Sequence, residues 1–97
     1  MSSLNPRYQD NPIVKHSYEF ALQVIGYCEI LDKSGKYVVA KQVLRSGTSV
    51  GANIREAQNS ESKADFIHKM KIALKEADET EYWFFYVKIL ITLTHKN

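Results

Sequence analysis

The side chains in this 97-residue sequence that could do chemistry are three histidines, a run of carboxylates, one cysteine and scattered serines. His16, His68 and His95 fall on different segments, with no His-x-x-x-His or Glu-x-x-His pair to place two ligands on one helix face. Glu76, Asp78, Glu79 and Glu81 lie within a turn and a half of helix, so their carboxylates point in several directions. That run reads as a solvated face, with partner binding or interhelical pairing to Arg45 as the alternative. Cys28 stands at helical spacing from Val24 and Leu31, the position of a buried structural thiol, and as the sole cysteine it forms no intrachain disulfide. No serine sits in a nucleophile elbow, and no glycine-rich loop follows a strand. Neither an enzyme nor a cofactor or metal site is expected.

Two non-catalytic patterns carry more information. Gln42, Ser46, Ser49, Asn53 and Glu56 repeat at i, i+4, i+7, i+11 and i+14 beside an apolar face, with Arg45 at i+3 in the same stripe. Half-buried polar groups at such a boundary need hydrogen-bond partners. Arg45 and Glu56 are about 16 Å apart along a helix, too far to pair with each other. The stripe, with Gln42, Arg45, Ser49, Asn53 and Glu56 as its main members, is expected to fix helix register or subunit assembly, or else to contact a ligand or nucleic acid. The second pattern is basic. Lys41 and Arg55 share the outer face of one helix, and Lys63, Lys69, Lys71 and Lys75 populate the next. Together with Arg45 these are candidate phosphate contacts, or simply a solubilising surface.

The elements that must position these groups are helical, because apolar alternation at strand period is nowhere sustained. A tail over 1–10 precedes helices at about 12–32, 36–59 and 62–93, all within one domain spanning 1–97. Asn11 and Pro12 suit the cap and first position of helix one, and Gly35 suits its exit. Ile13, Phe20, Val24, Tyr27 and Leu31 form its stripe, flanked by Val14, Ala21, Ile25 and Cys28. In helix two, Val39, Val43, Val50, Ile54 and Ala57 share one face. Gly47, and less clearly Gly51, mark close approach of a neighbouring backbone, since glycine otherwise weakens a helix interior by about 1 kcal/mol. Ser62 and Asp65 form an imperfect capping box for helix three, whose stripe runs Phe66, Met70, Ala73, Ala77, Thr80 and Phe84.

Beyond Glu81 that pattern changes. The segment from Tyr82 to Leu93 is apolar around its whole circumference, so it needs cover on all sides, from a further helix or from other subunits. Tyr82, Trp83, Phe85, Tyr86, Ile89 and Leu90 are the expected contacts. The segment is too short for a membrane span and contains Lys88. With no signal-peptide pattern at the N-terminus, the expected location is cytoplasmic. A net charge of +2 is weak for a dedicated nucleic-acid binder, so charge alone does not announce that function.

The stretch Gln42-Val43-Leu44-Arg45-Ser46-Gly47-Thr48-Ser49-Val50-Gly51-Ala52-Asn53-Ile54-Arg55-Glu56-Ala57 resembles the signature helix of the four-helix-bundle family of 23S ribosomal RNA intervening-sequence proteins. Ile72 to Trp83 resembles the family's second motif, and the likeness spans about 18–83, with Ala57 where the family usually has glycine. The resemblance implies an all-α, up-and-down bundle whose fourth helix is absent or truncated here, because the sequence stops at Asn97. Relatives such as the accessory variability determinant of diversity-generating retroelements imply a ring-shaped homopentamer that binds RNA or DNA and a reverse transcriptase. A ring would repeat Lys41, Arg45 and Arg55 around its axis and concentrate positive potential. The expected function is therefore a non-enzymatic, homo-oligomeric nucleic-acid-binding accessory protein. The alternative is a structural or protein-interaction module with no nucleic acid.

Overall fold

Asn11 caps the first helix. Its Oδ1 accepts from the Val14 amide at 3.5 Å, its Nδ2 donates to Gln58 Oε1 at 3.0 Å, and Pro12 takes the first helical position. The computed structural model describes residues 10–94, so most of the expected tail and His95 lie outside the described residues. Three helices follow: α1 (Pro12–Lys33), α2 (Tyr37–Ala57) and α3 (Lys63–Thr94). No strand occurs among the described residues, and the fold is all-α.

The ends follow local chemistry. After α1, Gly35 adopts φ 81°, Lys36 N–H donates to the Leu31 carbonyl at 2.9 Å, and Gly35 N–H donates to that of Asp32 at 3.0 Å. These two bonds form a Schellman closure, which needs a left-handed residue that glycine supplies without steric cost. α2 stops at Ala57, not Asn59, because Gln58, Asn59 and Ser60 N–H groups turn to carbonyls three residues back. Such bonds satisfy the last carbonyls in a tightened turn. Ser62 caps α3 by accepting the Asp65 amide on Oγ at 3.0 Å. The Asp65 carboxylate faces Lys69 Nζ at 3.4 Å.

α2 is the central element, packed against both α1 and α3. Its expected face, Val39, Val43, Val50, Ile54 and Ala57, is buried throughout. On α1 the buried positions are Val14, Ser17, Val24, Cys28 and Leu31. Ile13, expected in that stripe, is 46% exposed. The buried face is rotated toward α2, and Phe20 and Tyr27 flank it half-buried on the side nearer α3. On α3, Ala73, Thr80 and Val87 are buried at seven-residue spacing, whereas Phe66, at the end of the expected stripe, is 38% exposed. Val24, Cys28, Leu31, Val39, Ala40, Val43 and Val87 form one core cluster; Val14, Val50, Ile54 and Ala73 form the other. α1 and α3 meet across the Tyr27–Phe84 edge contact, ring centroids 5.5 Å apart. The extents are 54 × 30 × 17 Å, so the three helices form a thin slab.

Close approach at the glycines differs from expectation. A Cβ at Gly51 would lie 3.2 Å from the Ser17 carbonyl oxygen, so the backbone contact is there. At Gly47 it would lie 2.8 and 2.9 Å from the two methyls of Val24, a branched side chain with 1% exposure. Gly47→Ala should therefore lower stability by about 1–3 kcal/mol despite alanine's better helix propensity. Thermal or denaturant unfolding checks this, and adding Val24→Ala should make the pair less harmful than the sum of its parts. A neutral or stabilising Gly47→Ala would show that the contact has slack.

Candidate nucleic-acid interface

Of the candidate cations, Lys41, Arg55, Lys63, Lys71 and Lys75 are exposed, while Lys69 is half-buried beside Asp65. Lys41 and Arg55 lie on the outer face of α2, about 21 Å apart along it. Lys71 and Lys75, one turn apart, lie on the side of α3 remote from Ala73 and Thr80. Arg45 is committed differently. Nη1 lies 3.1 Å from Glu76 Oε2, and Nη2 donates to Glu79 Oε2, which also accepts Trp83 Nε1–H at 3.1 Å. With two carboxylates at its guanidinium, Arg45 is a poor phosphate contact. Its pairing fixes α2 against α3.

The hydrogen bond from Arg45 holds the Glu79 carboxyl below its ordinary range, and the Trp83 N–H adds to this. The same bond, with both carboxylate charges, raises Arg45 further. Half of the acidic run, Glu76 and Glu79, is thus turned toward α2, while Asp78 and Glu81 remain exposed.

The polar stripe of α2 divides in two. Ser49 Oγ donates to the Arg45 carbonyl at 2.7 Å and Asn53 Nδ2 to the Ser49 carbonyl at 2.9 Å, so both are satisfied within their own helix. Gln42 is half-buried and Glu56 exposed. Besides Arg45, the polar contact to α3 runs through Ser46, fully buried, whose Oγ lies 2.8 Å from Thr80 Oγ1. Ser46 Oγ donates to the Gln42 carbonyl at 3.0 Å, and Thr80 Oγ1 also lies 2.8 Å from the Glu76 carbonyl. Sequence reasoning placed Thr80 in an apolar stripe and missed this pair. The signal was two small hydroxyl residues, Thr80 at the centre of the α3 core face and Ser46 at the edge of the α2 core face.

The aromatic segment is also partitioned. Tyr82, Phe85, Tyr86 and Ile89 are exposed, whereas Trp83 and Leu90 are half-buried against the core cluster and belong to the three-helix packing. Cys28 is buried, its thiol 3.3 Å from the Ala40 carbonyl. Burial, with the nearby Asp32 charge, raises its pKa. His16 pairs with Glu19 at 3.4 Å and His68 is exposed. No group of three His, Cys, Asp or Glu among the described residues could hold a metal ion, and no helix among them is long and apolar enough to cross a membrane.

Residues 9–97 match the family described as 23S rRNA-intervening sequence protein. The chain belongs to this family. A crystal structure of a protein with unknown function from the S23 ribosomal protein family of Bacteroides thetaiotaomicron VPI-5482 is similar, with 45% sequence identity and a TM-score of 0.74. The match covers 88% of this chain and 77% of that one. No curated protein matches. For this family member the Arg45 clamp spans two stretches of close resemblance, since Arg45 lies in the signature helix and both carboxylates lie in the second motif.

Because Glu79 is depressed in the folded state, its contribution is fully present above the ordinary glutamate pKa. It is lost as pH falls through the lower folded value. Arg45→Met should lower the melting temperature at neutral pH, with the gap from wild type closing below the ordinary carboxylate range. A gap independent of pH and salt would mean that the loss comes from packing of the arginine stem.

Proposed function

We propose that this member of the intervening-sequence family is a non-enzymatic, homo-oligomeric accessory protein of the cytoplasm that holds RNA or DNA by phosphate contacts. The observation that carries this reading is charge segregation along α3. Lys63, Lys69, Lys71 and Lys75 occupy its first half, where Asp65 takes up Lys69, and Glu76, Asp78, Glu79 and Glu81 its middle, where Arg45 takes two of them. That leaves a basic end, with Lys71 and Lys75 exposed on one face of α3, while Lys41 is exposed near the opposite end of α2. Repetition around a symmetry axis would multiply a field that +2 per chain supplies weakly. No helix is presented as a base reader, so recognition by phosphate contact is sequence-tolerant. A reverse transcriptase or another protein is a further partner by family relation.

The exposed Tyr82, Phe85, Tyr86 and Ile89 favour a second reading, a structural or protein-interaction module. Fluorescence anisotropy of labelled RNA and DNA across a salt series separates the two. Lys71→Glu with Lys75→Glu should weaken binding about tenfold or more at low salt, with oligomer mass unchanged. The log–log salt slope should become shallower by roughly 0.7–0.9 per lost contact. Unchanged affinity for both nucleic acids would leave the interaction-module reading.

A further inference from the structure

One face of α3 stands directly away from α2. Asp78, Tyr82, Phe85 and Ile89 follow at i, i+4, i+7 and i+11, about half a turn round from the buried Ala73, Thr80 and Val87. Tyr82 is 57%, Phe85 63% and Ile89 45% exposed, and Asp78 and Glu81 add two exposed carboxylates at the N-terminal end of the stripe. A helix filling the α1/α3 groove beside Phe20 and Phe84 would lie on the flank of α3, not over this face.

The outer side of α1 and α2 carries the converse shape. A concavity of about 200 Å³ is lined by Tyr18 and Ala21 of α1 and by Thr48, Gly51, Ala52 and Arg55 of α2. Eleven residues earlier on the same face of α2 lies a second concavity, lined by Tyr37, Ala40, Lys41 and Leu44 of α2 and by Cys28 and Asp32 of α1. The floor of the first is small and mostly apolar because Gly51 brings the two backbones together against Ser17. Arg55 supplies a cation at one end.

We propose that the outward face of α3 of one copy seats in the outer α1/α2 groove of a second copy. This rests on the self-association part of the proposed function and names the surfaces. Run antiparallel, the two helices keep register. Asp78 and Glu81 fall beside Arg55, Tyr82 over Gly51 and Ala52, Phe85 over Thr48, and Ile89 over Leu44. Large residues then lie on small ones, carboxylates meet a guanidinium, and both apolar surfaces leave water. The two surfaces are different parts of one chain, so the contact is heterologous and repeats into a closed ring or an open filament. Lys71 and Lys75 lie beyond the contact and stay available to phosphate.

Light scattering of the chain tests this. Wild type should exceed the 11.2 kDa of a single chain. Phe85→Asp and Ala52→Trp, both at exposed positions, should each fall to that mass with helical circular dichroism unchanged, and Tyr82→Asp should repeat the loss. Phe85→Asp keeps an intact groove and Ala52→Trp an intact ridge, so an equal mixture should form a heterodimer. Variants that assemble as wild type does, or no heterodimer in the mixture, would overturn the proposed surfaces while leaving self-association standing. A monomeric wild type would overturn both and remove the repeated field from the proposed function, whereas phosphate contact by the single chain is decided by the anisotropy titration.

Discussion

The structure depends on how closely α1 can approach α2. Gly47 and Gly51 leave the α1-facing side of α2 without side chains where Val24 and the Ser17 backbone press against it. That proximity lets small and medium residues close the core, since the largest fully buried side chains among the described residues are Val24, Val43, Val87, Thr80 and Ser46, with no large aromatic among them. Close-packed interiors tolerate little change in volume, so the two glycines set the spacing to which the rest of the core conforms. The same approach determines the shape of the outer groove.

On its other side α2 is held by polar chemistry. Ser46 and Thr80 meet in the core, and Arg45 reaches two carboxylates one turn apart on α3. A buried hydroxyl pair resists axial slip, because sliding either helix would break the Ser46–Thr80 bond at a cost of about 0.5–1.5 kcal/mol, leaving each hydroxyl only the carbonyl of its own helix. The exposed charge cluster beside it is worth less in water, but it selects the same alignment. Apolar packing brings the helices together, and these few polar contacts choose their register.

Allocation of charge links fold to function. Arg45, the cation nearest the acidic run, is consumed in holding helices, and it takes Glu76 and Glu79 out of the surface field. What remains is segregated: lysines toward the start of α3, Asp78 and Glu81 beside exposed aromatics further along. A surface sorted in this way suits different contacts at different places on one chain. The weak net charge understates that sorting because it sums over both signs.

The amino-acid sequence by itself determined three helices, their caps, the buried face of α2 and the family. Those properties rest on interactions within about a turn or on periodicity, as at Asn11-Pro12, at Gly35, and along Val43, Val50 and Ile54. It also showed that the aromatic run after Glu81 exceeds what two helices can cover. Only the tertiary structure decided how polar groups were paired. Ser49 and Asn53 share a spacing pattern with Arg45 and Ser46, yet the first two bond to their own helix and the other two cross to α3. Ser49 and Asn53 lie at angles on α2 between those of Arg45 and Ser46, so the choice turns on which α3 side chain stands opposite at each level along the axis, which no local pattern encodes. Likewise Trp83 and Leu90 fold inward while Tyr82, Phe85 and Ile89 face out, because the position of α2 assigns an inside to a segment whose own sequence is apolar on every side.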